Sequence, residues 1–232
     1  MAKMFIGGES VDSVTKNTSE VRNPATGATV DTVPQGNDKD VQQAIQAAED
    51  AFKVWSDVSP EDRGNALMNA GELIKKNTGE IAQLLTQEQG KTLFEAGLEI
   101  HHLVHGLEFY AGLASKVRGS HVPLPQKGAY GMVVRQPIGV CGGIVPWNFP
   151  LTLMGTKLGP ALAAGNTIII KPASTTPLAT IRVIELIAQA TFGEGKAQKT
   201  LPKGTVNVVT GPGGSVGEEI LRNPRIRRIA FT

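Results

Sequence analysis

A single cysteine, Cys141, stands in a chain of 232 residues. It cannot form an intrachain disulfide, so a fold held by a disulfide framework is excluded. Long hydrophobic runs are missing too. No apolar stretch approaches the roughly 20 residues that cross a bilayer as a helix, and Met1 to Ser10 lacks the apolar core of a signal peptide. No membrane partner is expected, and the cytoplasm is the expected compartment. Charge of one sign is equally scarce: 23 Lys and Arg against 21 Asp and Glu give a formal net charge of +2. That balance, with no dense basic run interleaved with aromatics, speaks against nucleic acid as a partner. The one basic cluster, Arg225-Ile226-Arg227-Arg228, reads as a solvated turn leading into a strand.

What is present is an ordinary globular composition, 41% hydrophobic and 19% charged, and a length sufficient for one large α/β domain or one domain with a small appendage. Residues 5 to 33 read as short strands and turns, punctuated by Gly7-Gly8 and Pro24-Ala25-Thr26-Gly27, and form an edge lobe. From Asp40 the apolar spacing turns helical, with Val41, Ala44, Ile45, Ala48 and Phe52 on one face. A second helix opens at Ser59-Pro60-Glu61-Asp62, where Ser59 can cap free amides, Pro60 fits the first turn and the acidic pair favours the positive helix end. A third follows Thr78 with Ile81, Leu84 and Leu85 on one face, and a longer one runs from about Thr92 to Ala114. Together they predict an amino-terminal helical layer. Within the last helix, His101 and His105 stand four apart and, with His102, invite a metal reading. Zinc would ask for a third ligand and usually a catalytic glutamate, whereas Glu99 and Glu108 lie at spacings that suggest surface pairing, so no metal site is expected.

Residues 119 to 136 change character again. Pro123 and Pro125 bracket an extended stretch, and Ala129 to Val134 reads as a strand; prolines suit sheet edges. From Pro137 onward the pattern alternates. Strands at Cys141 to Val145, Thr167 to Lys171, Val206 to Thr210 and Ile229 to Thr232 enclose helices through Thr152–Ala164, Leu178–Ala190 and about Ser215 to Arg222. Buried β-branched runs alternating with helices imply right-handed crossovers and a parallel sheet. The expectation is an α/β, Rossmann-like doubly wound parallel sheet with that helical layer and an extended bridging ribbon. Ligands bind such sheets beyond the carboxyl ends of the strands, which makes Asn148 and Lys171 candidates to face one crevice. Gly211-Pro212-Gly213-Gly214-Ser215-Val216-Gly217 follows a strand and opens a helix, as a dinucleotide site requires, although its spacing is not Gly-x-Gly-x-x-Gly. Cys141 lies in an apolar, glycine-interrupted run, where burial raises a thiol's pKa and suppresses the thiolate, so packing rather than nucleophilic chemistry is expected of it.

Pro146-Trp147-Asn148-Phe149-Pro150, then Lys171-Pro172-Ala173-Ser174, then Ile229-Ala230-Phe231-Thr232 together resemble the aldehyde dehydrogenase superfamily, in that order, and the likeness extends back to Asn23-Pro24-Ala25-Thr26-Gly27. The resemblance implies a nicotinamide-dependent oxidation of an aldehyde to an acid. In that chemistry a cysteine thiolate attacks the carbonyl, the oxyanion collapses by hydride transfer, and an activated water cleaves the thioester. In the family the nucleophilic cysteine and the general-base glutamate come after the position of Thr232, so this chain is expected to be an amino-terminal part, inactive alone. The resemblance makes Asn148 the amide donor to the oxyanion, a kind of contact worth a few kcal/mol of barrier. It makes Lys171 a ligand of the adenosine ribose and places Trp147 beside the cofactor phosphates. Val145, Pro146, Pro172, Ala173, Ser174, Gly213, Gly217, Phe231 and Thr232 complete the expected cofactor-binding set. Residues 1–118 and 137–232 would form the dinucleotide-binding domain, without the catalytic domain, and 119–136 would match a ribbon that crosses to a neighbouring subunit of a homo-oligomer. Many NAD-using members carry Glu at the position of Ser174. A neutral hydroxyl there, beside Thr175 and Thr176, resembles NADP-using succinate-semialdehyde-type members, so NADP is favoured over NAD. The remaining alternatives are a stand-alone dinucleotide-binding module and a non-catalytic assembly protein.

Overall fold

A computed structural model describes residues 1–193 and 195–232. The chain begins with β1 (Met4–Ile6) and β2 (Glu9–Val11), then β3 (Thr18–Arg22) and β4 (Thr29–Pro34). Four helices follow: α1 (Asp38–Trp55), α2 (Pro60–Lys76), α3 (Thr78–Gln89) and α4 (Leu93–Ala114). A two-stranded ribbon, β5 (Ser120–Pro123) with β6 (Tyr130–Val133), leads to the alternating region. There β7 (Val140–Ile144), α5 (Pro150–Ala163), β8 (Thr167–Lys171) and α6 (Leu178–Ala188) precede the small pair β9 (Thr191–Phe192) and β10 (Lys199–Thr200). The chain closes with β11 (Val206–Val208), α7 (Glu218–Arg222) and β12 (Ile226–Phe231).

The helix starts are written in side chains. Asn37 accepts the amides of Lys39 and Asp40 while Asp40 accepts Asn37's own amide, so α1 begins in a reciprocal cap. Ser59 accepts from Asp62 at the start of α2 with Pro60 in the first turn. Thr92 and Glu95 form the same reciprocal cap for α4.

The main sheet runs in the order β12-β7-β8-β11-β1-β2. The first four strands are mutually parallel, β1 adds antiparallel to β11, and β2 pairs antiparallel with β1. Every residue of β7 and β8 is buried, as expected of parallel strands covered on both faces. Alternate residues divide between the faces: Ile168 and Ile170 pack with Leu158, Leu162 and Ile184, whereas Ile169 packs with Val41, Ile45 and Val209.

Two expectations are corrected here. The first helix does not join the amino-terminal layer; α1 covers the opposite face of the sheet, beside α7, while α2, α3 and α4 pack over α5 and α6. Nor is the start of the chain wholly an edge lobe, since β1 and β2 extend the central sheet and only β3 and β4 stand apart. The apolar triplet Met4-Phe5-Ile6 is buried throughout and supplies the reason. The basic cluster is a turn leading into a strand, as expected. Arg227 and Arg228 are exposed within β12, across a bulge, and Arg225 stands in the turn just before the strand, tied to Glu49 of α1. The arginine also holds the Glu49 carboxyl below its ordinary pKa.

Candidate functional site

The chain reaches β11 by way of β7 and β8 on one side, then returns to the other side of β7 to lay down β12. The direction of strand addition therefore reverses between β7 and β12, the kind of position where an open α/β sheet forms a ligand crevice. The predicted residues gather at that end. Val145 donates to the Lys171 carbonyl at 3.1 Å, Thr232 donates to the Ile144 carbonyl at 3.3 Å, and Val209 donates to the Ile170 carbonyl at 3.0 Å. Each strand thus delivers its loop to one rim.

On that rim Lys171 is only 5% exposed. Its ammonium donates to the Pro172 carbonyl at 2.9 Å, and burial pushes its pKa down. Its methylenes lie against Gly217, where an added methyl would stand 3.6 Å from Lys171 Cδ. Ser174 donates to the Gly211 carbonyl at 3.4 Å. Ala173, Ser174, Gly211, Pro212, Gln35 and Glu20 line a cleft of about 250 Å³. Glu20 is engaged with Arg22 and Thr29.

The glycine segment differs from expectation. Gly213–Gly217 forms one wide, π-type turn, with the amides of Val216 and Gly217 directed at the Pro212 carbonyl, and only Glu218–Arg222 is α-helical. Gly211 has φ of 143°, and a Cβ there would meet the Gly36 oxygen at 2.8 Å. Only glycine fits that conformation without strain. At Gly213 and Gly214 a Cβ would meet nothing within 4 Å, so their backbone is open to an approaching group.

Trp147, Asn148 and Phe149 are exposed on the loop between β7 and α5. Their loop is held from a direction the sequence did not announce. Lys91 donates to the Asn148 carbonyl at 3.1 Å and places its ammonium 4.5 Å from the centre of the Phe149 ring. The same ammonium pairs with Glu99. Glu99 is 1% exposed and accepts the amides of Leu151 and Thr152 at 2.8 and 3.2 Å, so the surface role expected of it is wrong. Glu108 does pair on the surface, with Lys75. Glu88 repeats the arrangement for the next helix, accepting Leu178 at 2.7 Å and Ala179 at 2.9 Å. Desolvation pushes the Glu88 carboxyl up to about 8 against the pull of those two amides. A further buried cation, Lys157, donates to Thr232 Oγ1 at 2.6 Å and to the Leu153 carbonyl at 3.1 Å, which joins α5 to the end of β12. Phe231 is 72% exposed beside it.

A signal for these residues existed. Glu88 and Glu99 sit at apolar-face positions of their helices, in step with Ile81 and Leu85 and with Ala96 and Leu103, and Lys157 is the lone charge in Pro150–Ala163.

Cys141 is 5% exposed in β7, and burial raises its thiol to about 11. His101, His102 and His105 are all exposed on α4. A larger cleft, about 490 Å³, lies at the amino ends of the strands and is lined by Phe5, Ser10, Glu185, Gln189, Lys203 and Gly204. It contains none of the predicted residues. Among the described residues no helix is long and apolar enough to cross a membrane.

A parallel sheet wound on both faces, with its loops converging at the switch point, defines a Rossmann-like α/β protein. The match is closer than the fold: residues 11–232 fit the model of the aldehyde dehydrogenase family, and the chain belongs to that family. The betaine aldehyde dehydrogenase of Bacillus subtilis (strain 168) is 38% identical over 231 residues, 99% of this chain and 45% of the relative. The NADP(+) succinate-semialdehyde dehydrogenase of Escherichia coli (strain K12) is 37% identical, over 98% of this chain and 45% of its own length. Among solved structures, the betaine aldehyde dehydrogenase of Staphylococcus aureus in complex with NAD+ superposes with a TM-score of 0.91 at 34% identity, over 99% of this chain and 45% of that one. An NADP-dependent enzyme of E. coli gives 0.92 at 36% identity, over 99% and 46%. The chain therefore spans slightly less than half the length of these relatives.

Proposed function

We propose that this chain is the cofactor-binding portion of a cytoplasmic, NAD(P)-dependent aldehyde dehydrogenase that oxidises an aldehyde to a carboxylic acid. The observation that carries this is the convergence of the β7, β8, β11 and β12 loops at one rim, with Lys171 packed on Gly217 and Ser174 bonded to Gly211. In this reading residues 1–118 and 137–232 form the dinucleotide-binding domain, and the nucleophilic cysteine and general base belong to a part outside the chain. The residues suit a dinucleotide: an open glycine backbone at Gly213 and Gly214 can approach phosphates, and the cleft beside Ser174 can take the adenosine end. When bound, the nicotinamide supplies the hydride acceptor. Lys171, with Pro172, Ala173 and Ser174, holds the ribose end, while Val145, Pro146 and Trp147 back the phosphates. Phe231 and Thr232 close the β12 side. Asn148 offers its amide N–H to the developing oxyanion, the one catalytic role assigned within this chain.

The cofactor preference follows from charge. A carboxylate facing the ribose 2′-hydroxyl favours NAD and repels a 2′-phosphate. Here position 174 is a neutral serine, and the nearest carboxylate lining the cleft, Glu20, is already paired with Arg22. NADP is expected to bind at least as tightly as NAD in calorimetric titration, and Ser174→Glu to weaken NADP about tenfold, or ~1.4 kcal/mol. Tenfold tighter NAD binding by the unaltered chain, or no change in Ser174→Glu, would refute the preference.

Association is expected as well. The β5–β6 ribbon exposes Tyr130 and Met132 at 66% and 69%, with Val134 just after it at 66%, and β12 forms one free edge of the sheet. Exposed apolar ribbons and open edges drive self-association. Light scattering coupled to size exclusion should show a dimer or larger species, and a monodisperse monomer over a wide concentration range would count against the ribbon as an intersubunit element.

A further inference from the structure

Helices α5 and α6 begin without a capping side chain of their own. Their N-cap residues are Phe149 and Pro177, and neither supplies an acceptor. The first amides of any helix need partners, and at most helix starts the N-cap residue provides one. In this protein both sets are satisfied from elsewhere, by two buried carboxylates eleven positions apart. Glu88 is the penultimate residue of α3 and Glu99 lies in the second turn of α4, so the two flank the short turn Gly90-Lys91-Thr92. Glu99 takes Leu151 and Thr152 of α5; Glu88 takes Leu178 and Ala179 of α6.

These two helices start immediately after the β7 and β8 loops, two of those that form the crevice rim. The placement of each loop is consequently set by a third element and not by its own sequence. Lys91 strengthens the link on one side. Its side chain is 8% exposed, its ammonium neutralises the Glu99 carboxylate, and it also bonds the Asn148 carbonyl and faces the Phe149 ring. One cation thus ties the carboxylate that caps α5 to the backbone of the residue two places before that helix. A charge held in so dry a setting fixes geometry, because moving it away would leave Glu99 buried and unpaired.

We propose that the α3–α4 turn is a clasp, in which Lys91 with Glu99 positions the Trp147-Asn148-Phe149 loop and Glu88 positions the Lys171–Pro177 loop for binding. The clasp rests on the cofactor-binding reading for its purpose but not for its existence. These are positioning residues; none is assigned a contact with cofactor or substrate. A purely stabilising role would lower the resistance of the whole fold to unfolding. A clasp acts locally, on the backbone it holds.

Hydrogen exchange read by mass spectrometry, together with calorimetric NADP binding, separates these on the unaltered chain, Lys91→Met, Lys91→Arg and Glu88→Gln. In Lys91→Met, peptides covering residues 146–152 should exchange at least tenfold faster while the buried strands β7 and β8 keep their protection. NADP should bind about tenfold more weakly. Lys91→Arg, which restores a cation and donors, should recover most of both effects, and Glu88→Gln should shift the faster exchange to residues 172–180. Unchanged exchange at 146–152 in Lys91→Met overturns the clasp, as does acceleration spread evenly over the chain in that variant. Should the unaltered chain fail to bind either nicotinamide cofactor, the proposed function falls, yet the exchange pattern still decides the clasp. If Lys91→Met does not fold, Lys91→Gln replaces it and is read in the same way.

Discussion

The purified 232-residue chain is expected to leave aldehydes unoxidised in the presence of NAD or NADP, and Cys141→Ser is expected to change nothing in that assay. Covalent aldehyde oxidation needs a thiolate with a base in reach. The only thiol here sits in β7, 5% exposed, with its pKa raised to about 11 by desolvation. Near neutral pH a thiol of that kind is ionised in fewer than about one molecule in a thousand. Its location compounds the problem. Cys141 is paired to Ile168 on one side and to Arg228 on the other within the sheet, away from the carboxyl ends where Asn148 and Lys171 emerge. The assay follows reduced cofactor by absorbance over a panel of aldehydes. Turnover that vanishes in Cys141→Ser would move the nucleophile to β7 and overturn the assignment, whereas cofactor binding without turnover is the result anticipated.

The parallel core was readable because its physics is local. Thr167–Lys171 is a continuous buried run, and such runs between helices announce a covered parallel strand. The cap of α2 is similarly legible, since Ser59 acts on an amide three residues on, and Asn37 and Thr92 work over the same short range at α1 and α4. What escaped acts over long separations. The acceptors for α5 and α6 lie 52 and 90 positions upstream, and nothing near Phe149 or Pro177 discloses them. Glu99 was placed at the surface because helical spacing shows which residues share a face and not what that face meets. The wide turn at Gly213–Gly217 was missed for a related reason: glycine propensity marks a departure from helix but leaves the hydrogen-bond pattern open. Of the candidate site, the motifs at Trp147-Asn148 and Lys171–Ser174 are visible in the chain, while what Lys91, Glu99 and Lys157 bond to emerges only with the packing, the apolar-face position of Glu99 and the lone charge of Lys157 being the hints in the sequence.

Stability is expected to fall as pH rises from about 4.5 to about 8, and Glu88→Gln is expected to flatten that slope. Glu88 is 2% exposed, and removal from water raises its carboxyl from an ordinary 4.5 to about 8. The two amides of α6 favour the anion, and nearby Glu99 opposes it. Between those two values the native state holds a proton that the unfolded chain has released. Each added pH unit in that window therefore costs up to about 1.4 kcal/mol, with the full contribution present below the unfolded value and gone above the folded one. Depressed carboxyls such as Glu49 and Asp31 work in the opposite sense, losing their contribution as pH falls through the acid range. They do not offset Glu88 above pH ~5. In Glu88→Gln one amide of α6 keeps an acceptor while the other faces an NH₂ group, so a loss of about 1–3 kcal/mol is expected at pH 5, with little further change up to pH 8. Urea unfolding at a series of pH values, followed by the fluorescence of the fully buried Trp55, measures both curves. A flat or rising profile in the unaltered chain would show that Glu88 is ionised throughout, and an equal slope in Glu88→Gln would assign the titration to another group.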